Sequence, residues 1–435
     1  MTAPVATHTH NGITAAGWRI VLLASLGGTL EFYDFVIFGI FAKDIADAIF
    51  PNPTPLISLT VSFGVFAAGY LARPIGGIVL SHFGDRYGRR RVFLVSILVM
   101  STATFGMGLV PSYAAWGAAA SLLMIALRLI QGFCLGGELP GALTYVVETA
   151  PRRASFVCAV VFSCVTLGVA AATVLSLAVR SWLPAALMAS VGWRIAFIVG
   201  GVAGLLGLVL RRSLEESPEF ERMKHLASRQ PFREVLRHHR RPVALGILTL
   251  AATAGFNGLF FAHMAAYASG VLGYDPRQVA LSLTVGIIAH ALAILAVGRI
   301  ADVVGPRVLL RAGAFALVAL AFPFYAALAQ RSADATLLLV LAGVCASLVN
   351  GTFGVVLADL FPTRVRFSGI ALGFNVAFTI FSGTAPLVAT SLIRSTGMTT
   401  APAWVMVACG LLTFAGSLGL SRQGGQVLGR RNIAS

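Results

Sequence analysis

Residues 56–80 read LISLTVSFGVFAAGYLARPIGGIVL, residues 81–91 read SHFGDRYGRRR, and residues 92–110 read VFLVSILVMSTATFGMGLV. The first and third stretches are almost wholly apolar. Each could cross the ~30 Å hydrocarbon core of a bilayer as a helix that rises about 1.5 Å per residue. The middle stretch carries four arginines. This order predicts two transmembrane helices joined by a basic loop on one side of a membrane.

The same pattern continues along the chain. The sequence has 435 residues, of which 57% are apolar and 11% are charged, and its mean hydropathy is +0.87. Because soluble domains contain about 25% charged residues, this composition excludes a soluble enzyme. We predict an all-α membrane protein with twelve transmembrane helices. Their approximate bounds are 18–42, 56–81, 92–110, 117–146, 156–179, 192–210, 243–269, 278–298, 308–329, 335–358, 367–392 and 402–420.

The formal net charge of +16 would indicate a nucleic-acid partner in a soluble chain. Here the loops on one side of the predicted membrane hold 23 arginines and lysines, and those on the other side hold five. By the positive-inside rule, both termini are predicted to be cytoplasmic. We therefore expect an inner-membrane protein whose partner is the lipid bilayer, with no nucleic acid. We call the face with the arginine-rich loops the basic side.

Other sequence features argue against a signal peptide, disulfide bonds and a metal site. Before Trp18 the chain has neither a basic segment nor a small-residue cleavage site, so no removable signal peptide is predicted. The cysteines fall in apolar spans without a CxxC pair, which indicates core residues rather than a disulfide framework or a metal site. They are Cys134, Cys158, Cys164, Cys345 and Cys409. We expect no cofactor, and we expect a monomer.

The longest polar stretch, residues 211–241, separates six spans from six. We predict an N-terminal six-helix bundle over 1–210, a cytoplasmic linker over 211–241 and a C-terminal six-helix bundle over 242–435. Glutamates and arginines at helical spacing within the linker favour a surface helix.

Two loop patterns recur in both halves. Asp85-Arg86-x-Gly88-Arg89-Arg90 follows span two, and a degenerate copy that begins at Asp302 follows span eight, 217 residues later. Glu148-Thr-Ala-Pro follows span four, and Asp359-Leu-Phe-Pro follows span ten, 211 residues later. Such a repeat favours two halves around a cavity that opens to each side in turn.

The loops themselves predict a gate. Asp85 can cap a helix N-terminus, and the arginines beside it can pair with Glu148 at the cytoplasmic edge. Alternatively, these arginines only anchor the topology. The candidate gating residues are Asp85, Arg86, Arg89, Arg90, Glu138, Glu148, Asp302 and Asp359.

Together with Arg128-x-x-Gln131-Gly132, these loops resemble the major facilitator superfamily. More narrowly, the chain is similar to the metabolite:proton symporters of that superfamily. The stretches that carry this likeness are Leu30-Glu31-Phe32-Tyr33-Asp34-Phe35, Arg73-Pro74-Ile75-Gly76-Gly77, Gly136-Gly137-Glu138 and residues 212–220. The resemblance implies a major-facilitator fold and proton-coupled import of citrate, tricarballylate, 2-oxoglutarate, shikimate, proline or betaine. Asn350-Gly351 and residues 395–404 look most like the citrate and tricarballylate branch.

Charged residues at membrane depth are costly, so they usually face a cavity or a partner. Glu31 and Asp34 share one face of helix one, and Arg128, Gln131 and Glu138 share one stripe of helix four. Helical rise places Asp34 and Arg128 at similar depths, about 9–15 Å from the outer edge. If they pair, protonation of Asp34 would release Arg128 to an acidic substrate. The alternative is a static ion pair that only fixes helix packing.

Polar residues at mid-depth in the second half are the other candidates. A lone histidine or asparagine in a membrane helix is often only an interhelical hydrogen-bond partner, so both interpretations stay open for each. The candidate proton-coupling residues are Asp34, Glu31 and Arg128. The candidate substrate-binding residues are Tyr33, Arg128, Gln131, Asn257, His263, His290, Asn350 and Asn375.

Three other functions are weighed against import. Helix five, 156–179, lacks the glycine-proline signature of the superfamily's drug antiporters, which disfavours a proton-driven exporter of amphiphiles. The absence of GxSxG and HExxH disfavours an intramembrane hydrolase, and the absence of a Gly-Lys dipeptide disfavours an ATP-driven pump. We therefore predict no enzyme activity. Val160-Val161 stands where citrate-type relatives carry Trp-Gln, so the exact substrate stays open.

Overall fold

The structure is a computed structural model that describes residues 15–87, 89–136, 138–184, 187–212, 231–420 and 427–428. Within these ranges every regular element is helical. The N-terminal half contains helix 1 (Ala15–Ile40), helix 2 (Pro55–Tyr87), helix 3 (Arg89–Leu109), helix 4 (Ala118–Cys134 and Glu138–Thr149), helix 5 (Ala154–Trp182) and helix 6 (Trp193–Arg212). A short helix, Ala42–Ile49, follows helix 1, and a π-helical turn, Met188–Gly192, precedes helix 6.

The C-terminal half is less regular. Helix 7 runs through Arg240–Thr249, Ala251–Asn257, Gly258–His263, Met264–Ala266 and Tyr267–Val271. Helix 8 (Pro276–Val304) and helix 9 (Pro306–Gln330) are continuous, whereas helix 10 consists of Ala335–Asn350 and Phe353–Asp359. Helix 11 consists of Arg366–Ala377, Phe378–Gly383 and Ala385–Thr396, and helix 12 is Pro402–Gly419.

These helices fit a membrane. In the described part, nine segments are long and apolar enough to cross it, and two bent pairs raise the number to eleven. The bends are 59° after helix 1 and 42° within helix 7. Helix 3 adds a shorter apolar stretch, Leu94–Leu109. The predicted all-α membrane class is confirmed, and the twelve predicted spans correspond to these segments in order.

Apolar side chains cover the outer surface of the helices. Leu71, Leu122 and Phe315 are each more than half exposed, although a soluble protein rarely leaves broad apolar faces uncovered. The interior holds both a large apolar cluster and most of the polar residues singled out in the sequence. An apolar outer surface with polar residues kept inside is what a bilayer requires of a protein that crosses it several times.

Helices 2 and 4 approach each other closely through glycines. A Cβ atom on Gly132 would lie 1.9 Å from the carbonyl oxygen of Gly69, and one on Gly76 would lie 1.7 Å from that of Phe133. Only glycine permits this distance, which maximises van der Waals contact where no hydrophobic force acts between helices in lipid. The contact places Gly69 of helix 2 beside the Arg128 side chain of helix 4, with Arg73 about one turn further along helix 2.

Within the described residues several helix pairs join the two halves, including helix 4 with helices 10 and 11 on the basic side. Helix 1 packs on helix 7, helix 2 on helix 11, and helix 5 on helix 8. The short helix Pro231–His238 precedes helix 7 and packs on helix 11. Most of the predicted linker lies outside the described residues, so the division into 1–210, 211–241 and 242–435 stays a prediction. The side chains of Asp85, Arg86, Arg89, Arg90 and Glu138 also lie outside the described part.

Candidate functional site

Among the described residues of the N-terminal half, Arg128 is the most deeply buried charge, with 0% of its surface exposed. Its Nη1 donates to Gln131 Oε1, and its Nη2 donates to the carbonyl oxygen of Phe35 at 3.1 Å. The guanidinium carbon lies 3.8 Å from the ring centre of Phe35 and 4.8–4.9 Å from those of Phe38 and Phe66. Among the described residues its Nε has no hydrogen-bond partner, and no carboxylate forms an ion pair with it.

Gln131 holds this arginine in place. Its Nε2 donates to the main-chain carbonyl oxygen of Asp34 at 3.0 Å and to Thr104 Oγ1 at 2.8 Å. Both amide hydrogens are therefore used, which leaves Oε1 facing Arg128. Gln131 thus links helix 1 and helix 3 to the guanidinium, and its side chain is an orienting group for Arg128.

The carboxyl group of Asp34 points away from Arg128. A Cβ atom on Gly200 would lie 2.5 Å from Asp34 Oδ1, and one on Gly204 would lie 3.5 Å from Oδ2. The carboxyl therefore occupies space left by two glycines of helix 6. Among the described residues, Oδ2 has no hydrogen-bond partner.

Asp34 and Arg128 do not form the direct ion pair that their similar depths had made possible. The rotation of helix 1 turns the Asp34 side chain toward helix 6, and the main-chain carbonyls of Asp34 and Phe35 face helix 4 instead. Tyr33 also faces helix 6, where its hydroxyl donates to the carbonyl oxygen of Ala196 at 3.1 Å. A role for Tyr33 in substrate binding stays a prediction, because its hydroxyl bonds to helix 6 in this structure.

Arg73 is a second buried cation, which the sequence analysis did not identify as a site residue. Its side chain is 2% exposed, and its guanidinium carbon lies 5.3 Å from the ring centre of Tyr70 and 5.8 Å from those of Phe35 and Phe374. Glu31, also buried, attracts it electrostatically. The signal was available, because a lone arginine inside the apolar run 56–80 is as costly at membrane depth as Arg128.

In the second half, Asn257, His290 and Asn350 form one hydrogen-bonded cluster. His290 Nδ1 lies 2.6 Å from the carbonyl oxygen of Gly343, which can only accept, so Nδ1 carries the hydrogen. Nε2 then accepts from Asn350 Nδ2 at 2.9 Å, and the same Nδ2 donates to Asn257 Oδ1 at 2.9 Å. Among the described residues, Asn257 Nδ2 and Asn350 Oδ1 have no partner. The cluster therefore retains one donor group and one acceptor.

His263 and Asn375 lie apart from that cluster. His263 Nε2 lies 3.1 Å from Thr390 Oγ1, whose own hydrogen is donated to the carbonyl oxygen of Pro386. Nε2 therefore carries the hydrogen, and Nδ1 is left as an acceptor with no partner among the described residues. Asn375 Nδ2 donates to the carbonyl oxygen of Gly136 at 2.7 Å and joins helix 11 to helix 4.

The basic side is closed by contacts between the halves. Glu148 on helix 4 pairs with Arg366 on helix 11 at 2.7 Å. Asp302 at the end of helix 8 accepts from the main-chain N–H groups of Ser155 and Phe156 at 3.1 and 3.2 Å. This places a carboxylate at the positive end of helix 5. The described partner of Glu148 is thus Arg366, whereas the sequence analysis expected the Asp85 loop.

Asp359 has a different role from Glu148, its counterpart in the repeat. Its Oδ2 accepts from Arg307 at 2.7 Å, and its Oδ1 accepts from the main-chain N–H groups of Val427 and Leu428 at 2.7 and 2.9 Å. These contacts lie within the second half. In the described contacts, Asp359 therefore ties the start of helix 9 to residues 427–428 near the C-terminus.

The opposite side is closed as well. A Cβ atom on Gly39 of helix 1 would lie 2.5 Å from the Cβ atom of Ala262 on helix 7. Helix 11 contacts helix 2 through Thr379, which donates to the carbonyl oxygen of Tyr70 at 2.8 Å, and Ser382, which donates to its hydroxyl at 3.1 Å. The candidate side chains between the two closures are buried. The structure is an occluded one.

Comparison with known proteins agrees with this architecture. Residues 24–386 match the family described as Major Facilitator Superfamily. The chain belongs to this superfamily. It is therefore a multi-pass membrane transporter rather than an enzyme, and the resemblance found in the sequence is confirmed.

Two relatives of similar sequence carry names that indicate different substrates. A citrate-proton symporter of Klebsiella pneumoniae is 34% identical over 408 residues, which cover 92% of each chain. A putative proline/betaine transporter of Staphylococcus aureus (strain COL) is 30% identical over 406 residues, which cover 91% of this chain and 86% of the relative. A crystal structure of a D-xylose-proton symporter has a TM-score of 0.74 at 19% identity and covers 95% of this chain and 99% of its own. It shows the shared fold.

Proposed function

We propose that this transporter is a proton-coupled symporter that imports a small organic anion by alternating access. The observation that carries the proposal is Arg128, a fully buried guanidinium that has no carboxylate partner among the described residues and whose Nε has no hydrogen-bond partner. Burying an unpaired ion costs several kcal/mol or more. An anionic substrate that binds at Arg128 would supply the missing charge.

The proton site in this proposal is Asp34. Its carboxyl group is buried against helix 6, and its main-chain carbonyl is held by Gln131, which also holds Arg128. Gaining or losing a proton changes how well the carboxyl fits against Gly200 and Gly204, because Oδ2 has no hydrogen-bond partner among the described residues and a buried charged oxygen without one is unstable. A shift of helix 1 at Asp34 would then reach Arg128 through two hydrogen bonds. Coupling is therefore indirect, without an Asp34–Arg128 ion pair.

Two sets of contacts would alternate during transport. Glu148–Arg366 and the contact of Asp302 with helix 5 would open on the basic side, and the Gly39–Ala262 contact would open on the opposite side. Since the arginine-rich loops are predicted to face the cytoplasm, release on the basic side corresponds to import. The cytoplasmic position of both termini remains part of this proposal.

Citrate or tricarballylate is the favoured type of substrate, supported by the citrate-proton symporter among the relatives. A zwitterion such as proline or betaine is the alternative, favoured by the proline/betaine relative. The aromatic rings that could hold a quaternary ammonium are Phe35, Phe38, Phe66 and Tyr70. All four already contact a guanidinium. A further cation there would be repelled, so the site suits an anion better.

The test is uptake into proteoliposomes of purified protein, with labelled citrate, tricarballylate, proline and betaine as probes. With the outside acidified, we expect a tricarboxylate to accumulate, and a protonophore should abolish the accumulation. Arg128→Gln should reduce it by at least ~10-fold, because a charge-assisted hydrogen bond is lost. Arg394→Gln, an exposed arginine, is the matched control. Accumulation that is indifferent to the pH gradient would contradict the proposal, as would normal uptake by Arg128→Gln.

A further inference from the structure

Two buried guanidiniums flank the same aromatic ring. The guanidinium carbons of Arg128 and Arg73 lie 3.8 and 5.8 Å from the ring centre of Phe35. They can be no farther apart than the sum of those distances, about 9.6 Å. A Cβ atom on Gly69 would lie 2.9 Å from Arg128 Nε, and Arg73 lies four residues further along helix 2. Arg73 is therefore about one helical turn closer to the basic side than Arg128.

The pairing of these two arginines differs from that of the third arginine buried to this degree. Within the described residues, Arg73, Arg128 and Arg366 are each at least nine-tenths buried. Arg366 has the carboxylate of Glu148 at 2.7 Å, whereas no described ion pair includes Arg73 or Arg128. Their Nε atoms both have no hydrogen-bond partner. An arginine kept only for packing would be expected to resemble Arg366.

The surroundings of Arg73 place it at the interface between the halves. Its ring contacts come from helix 1 (Phe35), helix 2 (Tyr70) and helix 11 (Phe374). Glu31 is the carboxylate that acts on it electrostatically, and the Arg128 guanidinium is the nearby positive charge. Parting of helices 2 and 11 would therefore uncover Arg73 first, on the side toward the basic face.

We propose that Arg73 and Arg128 together form a two-guanidinium site that binds two carboxylates of one substrate. This inference rests on the proposed function and narrows it, because it makes a second carboxylate, rather than a single acidic group, the feature that the site recognises. A monocarboxylate pairs with one arginine and leaves the other without a substrate carboxylate at membrane depth. Selectivity for multivalent anions then follows from the cost of that unpaired charge.

The distances suit such a substrate. A carboxyl carbon stands about 4 Å from a guanidinium carbon when the N–H···O distances are near 2.8 Å. The two carboxyl carbons of a five-carbon diacid are up to about 5 Å apart, because each C–C bond spans ~1.5 Å. An anion of this length can therefore reach both arginines across the upper limit of 9.6 Å set by the Phe35 contacts.

The test compares glutarate with valerate, which have five carbons each and differ in the number of carboxylates. Binding to the full-length transporter in nanodiscs is measured by titration calorimetry for the wild type, Arg73→Gln and the exposed control Arg394→Gln. We expect the wild type and the control to prefer glutarate. Arg73→Gln should lose about 10- to 100-fold in glutarate affinity and keep its valerate affinity within about 3-fold.

The other possible results of the binding test separate the two-guanidinium site from the proposed function. Equal losses for both acids, an unchanged glutarate affinity, or a wild type that prefers valerate or betaine would overturn the two-guanidinium site. If Arg73→Gln does not fold, Arg73→Lys decides by the same criterion, since an ammonium keeps the charge but lacks the planar fork. Monocarboxylate binding and proton-driven uptake in the absence of dicarboxylate preference would leave the proposed function standing. Failure of the wild type to bind any carboxylate would overturn both proposals.

Discussion

At the scale of single residues, the site is built around buried polar side chains that have atoms without a hydrogen-bond partner among the described residues. Arg128 and Asp34 are both buried, both have an atom without a hydrogen-bond partner among the described residues, and they do not contact each other. Gln131 connects them through the main chain of helix 1. A proton and an anion can thus act on the same hydrogen-bond chain from opposite ends.

Asp34→Asn tests the proton end of that chain. Because the amide imitates the permanently protonated acid in size and charge, we expect substrate exchange across proteoliposomes to continue at a rate similar to that of the wild type. Accumulation driven by a pH gradient should fall to the equilibrium level. Counterflow and gradient-driven uptake measure the two processes separately.

The matched control is Asp47→Asn, because Asp47 is exposed and pairs only with Lys43 in the described structure. It should leave both processes intact. If Asp34→Asn still concentrates substrate in acidified medium, and a protonophore abolishes that, the proton must travel by another residue. Glu31 would then be the reserve candidate, tested by Glu31→Gln.

At the scale of helices, glycine contacts and π-helical turns set where side chains point. Helix 7 carries π-helical turns at Gly258–His263 and Tyr267–Val271, and helix 11 carries one at Phe378–Gly383. Such turns insert an extra residue and rotate the helix beyond them, and they are frequent at functional sites. The turn Gly258–His263 lies beside helix 1 and the turn Phe378–Gly383 lies beside helix 2, where the halves meet.

Gly76→Ala tests the contact between helices 2 and 4. Its Cβ atom would overlap the carbonyl oxygen of Phe133 at 1.7 Å, so the helices must separate. We expect a loss of about 1–3 kcal/mol in stability from overpacking, measured as a lower thermal unfolding temperature in detergent. The movement should also weaken anion binding, because both buried arginines lie on these two helices.

Gly64→Ala supplies the control on the same helix. A Cβ atom at this position would meet nothing within 4 Å, and alanine favours helix over glycine by up to about 1 kcal/mol. Its unfolding temperature should stay equal to that of the wild type or rise. Equal destabilisation by both substitutions would mean that the cost does not come from the Gly76 contact.

At the scale of the whole molecule, closure of the basic side depends on a few polar contacts between two halves that otherwise pack through apolar surfaces. Glu148–Arg366 is largely shielded from solvent, so removing one partner leaves a poorly solvated charge. Cys158, four residues into helix 5 from its basic-side end, is buried beside Gly354 of helix 10. Its chemical accessibility can therefore report opening of the basic side.

We expect Glu148→Gln to increase the rate of alkylation of Cys158 by N-ethylmaleimide by at least ~5-fold, because the closed state loses 1–3 kcal/mol relative to the open one. The measurement uses a variant in which the other four cysteines are alanine. The charge-swapped double variant Glu148→Arg with Arg366→Glu should restore slow labelling. Slow labelling of Glu148→Gln would show that this ion pair does not hold the basic side closed.

The sequence by itself determined the class of the protein, the order of its helices and the set of residues placed at membrane depth. Hydrophobic runs of spanning length and the absence of water in the bilayer leave few other folds for such a chain. The repeated loops also indicated two related halves, and the motifs indicated the superfamily before any coordinates. Arg128, Gln131 and Asp34 were identified in this way, because a charged or amide side chain inside an apolar run is conspicuous in the sequence alone.

Only the tertiary structure decided which of these residues touch. Each residue turns an α-helix by about 100°, so depth along the axis says nothing about which neighbouring helix a side chain faces. This is why Asp34 meets helix 6 rather than Arg128, and why Glu148 meets Arg366, a residue 218 positions away. The joint placement of Arg73 and Arg128 at Phe35 depends likewise on glycine contacts between helices 2 and 4. Such contacts form between surfaces far apart in sequence, and helical periodicity within one span cannot predict them.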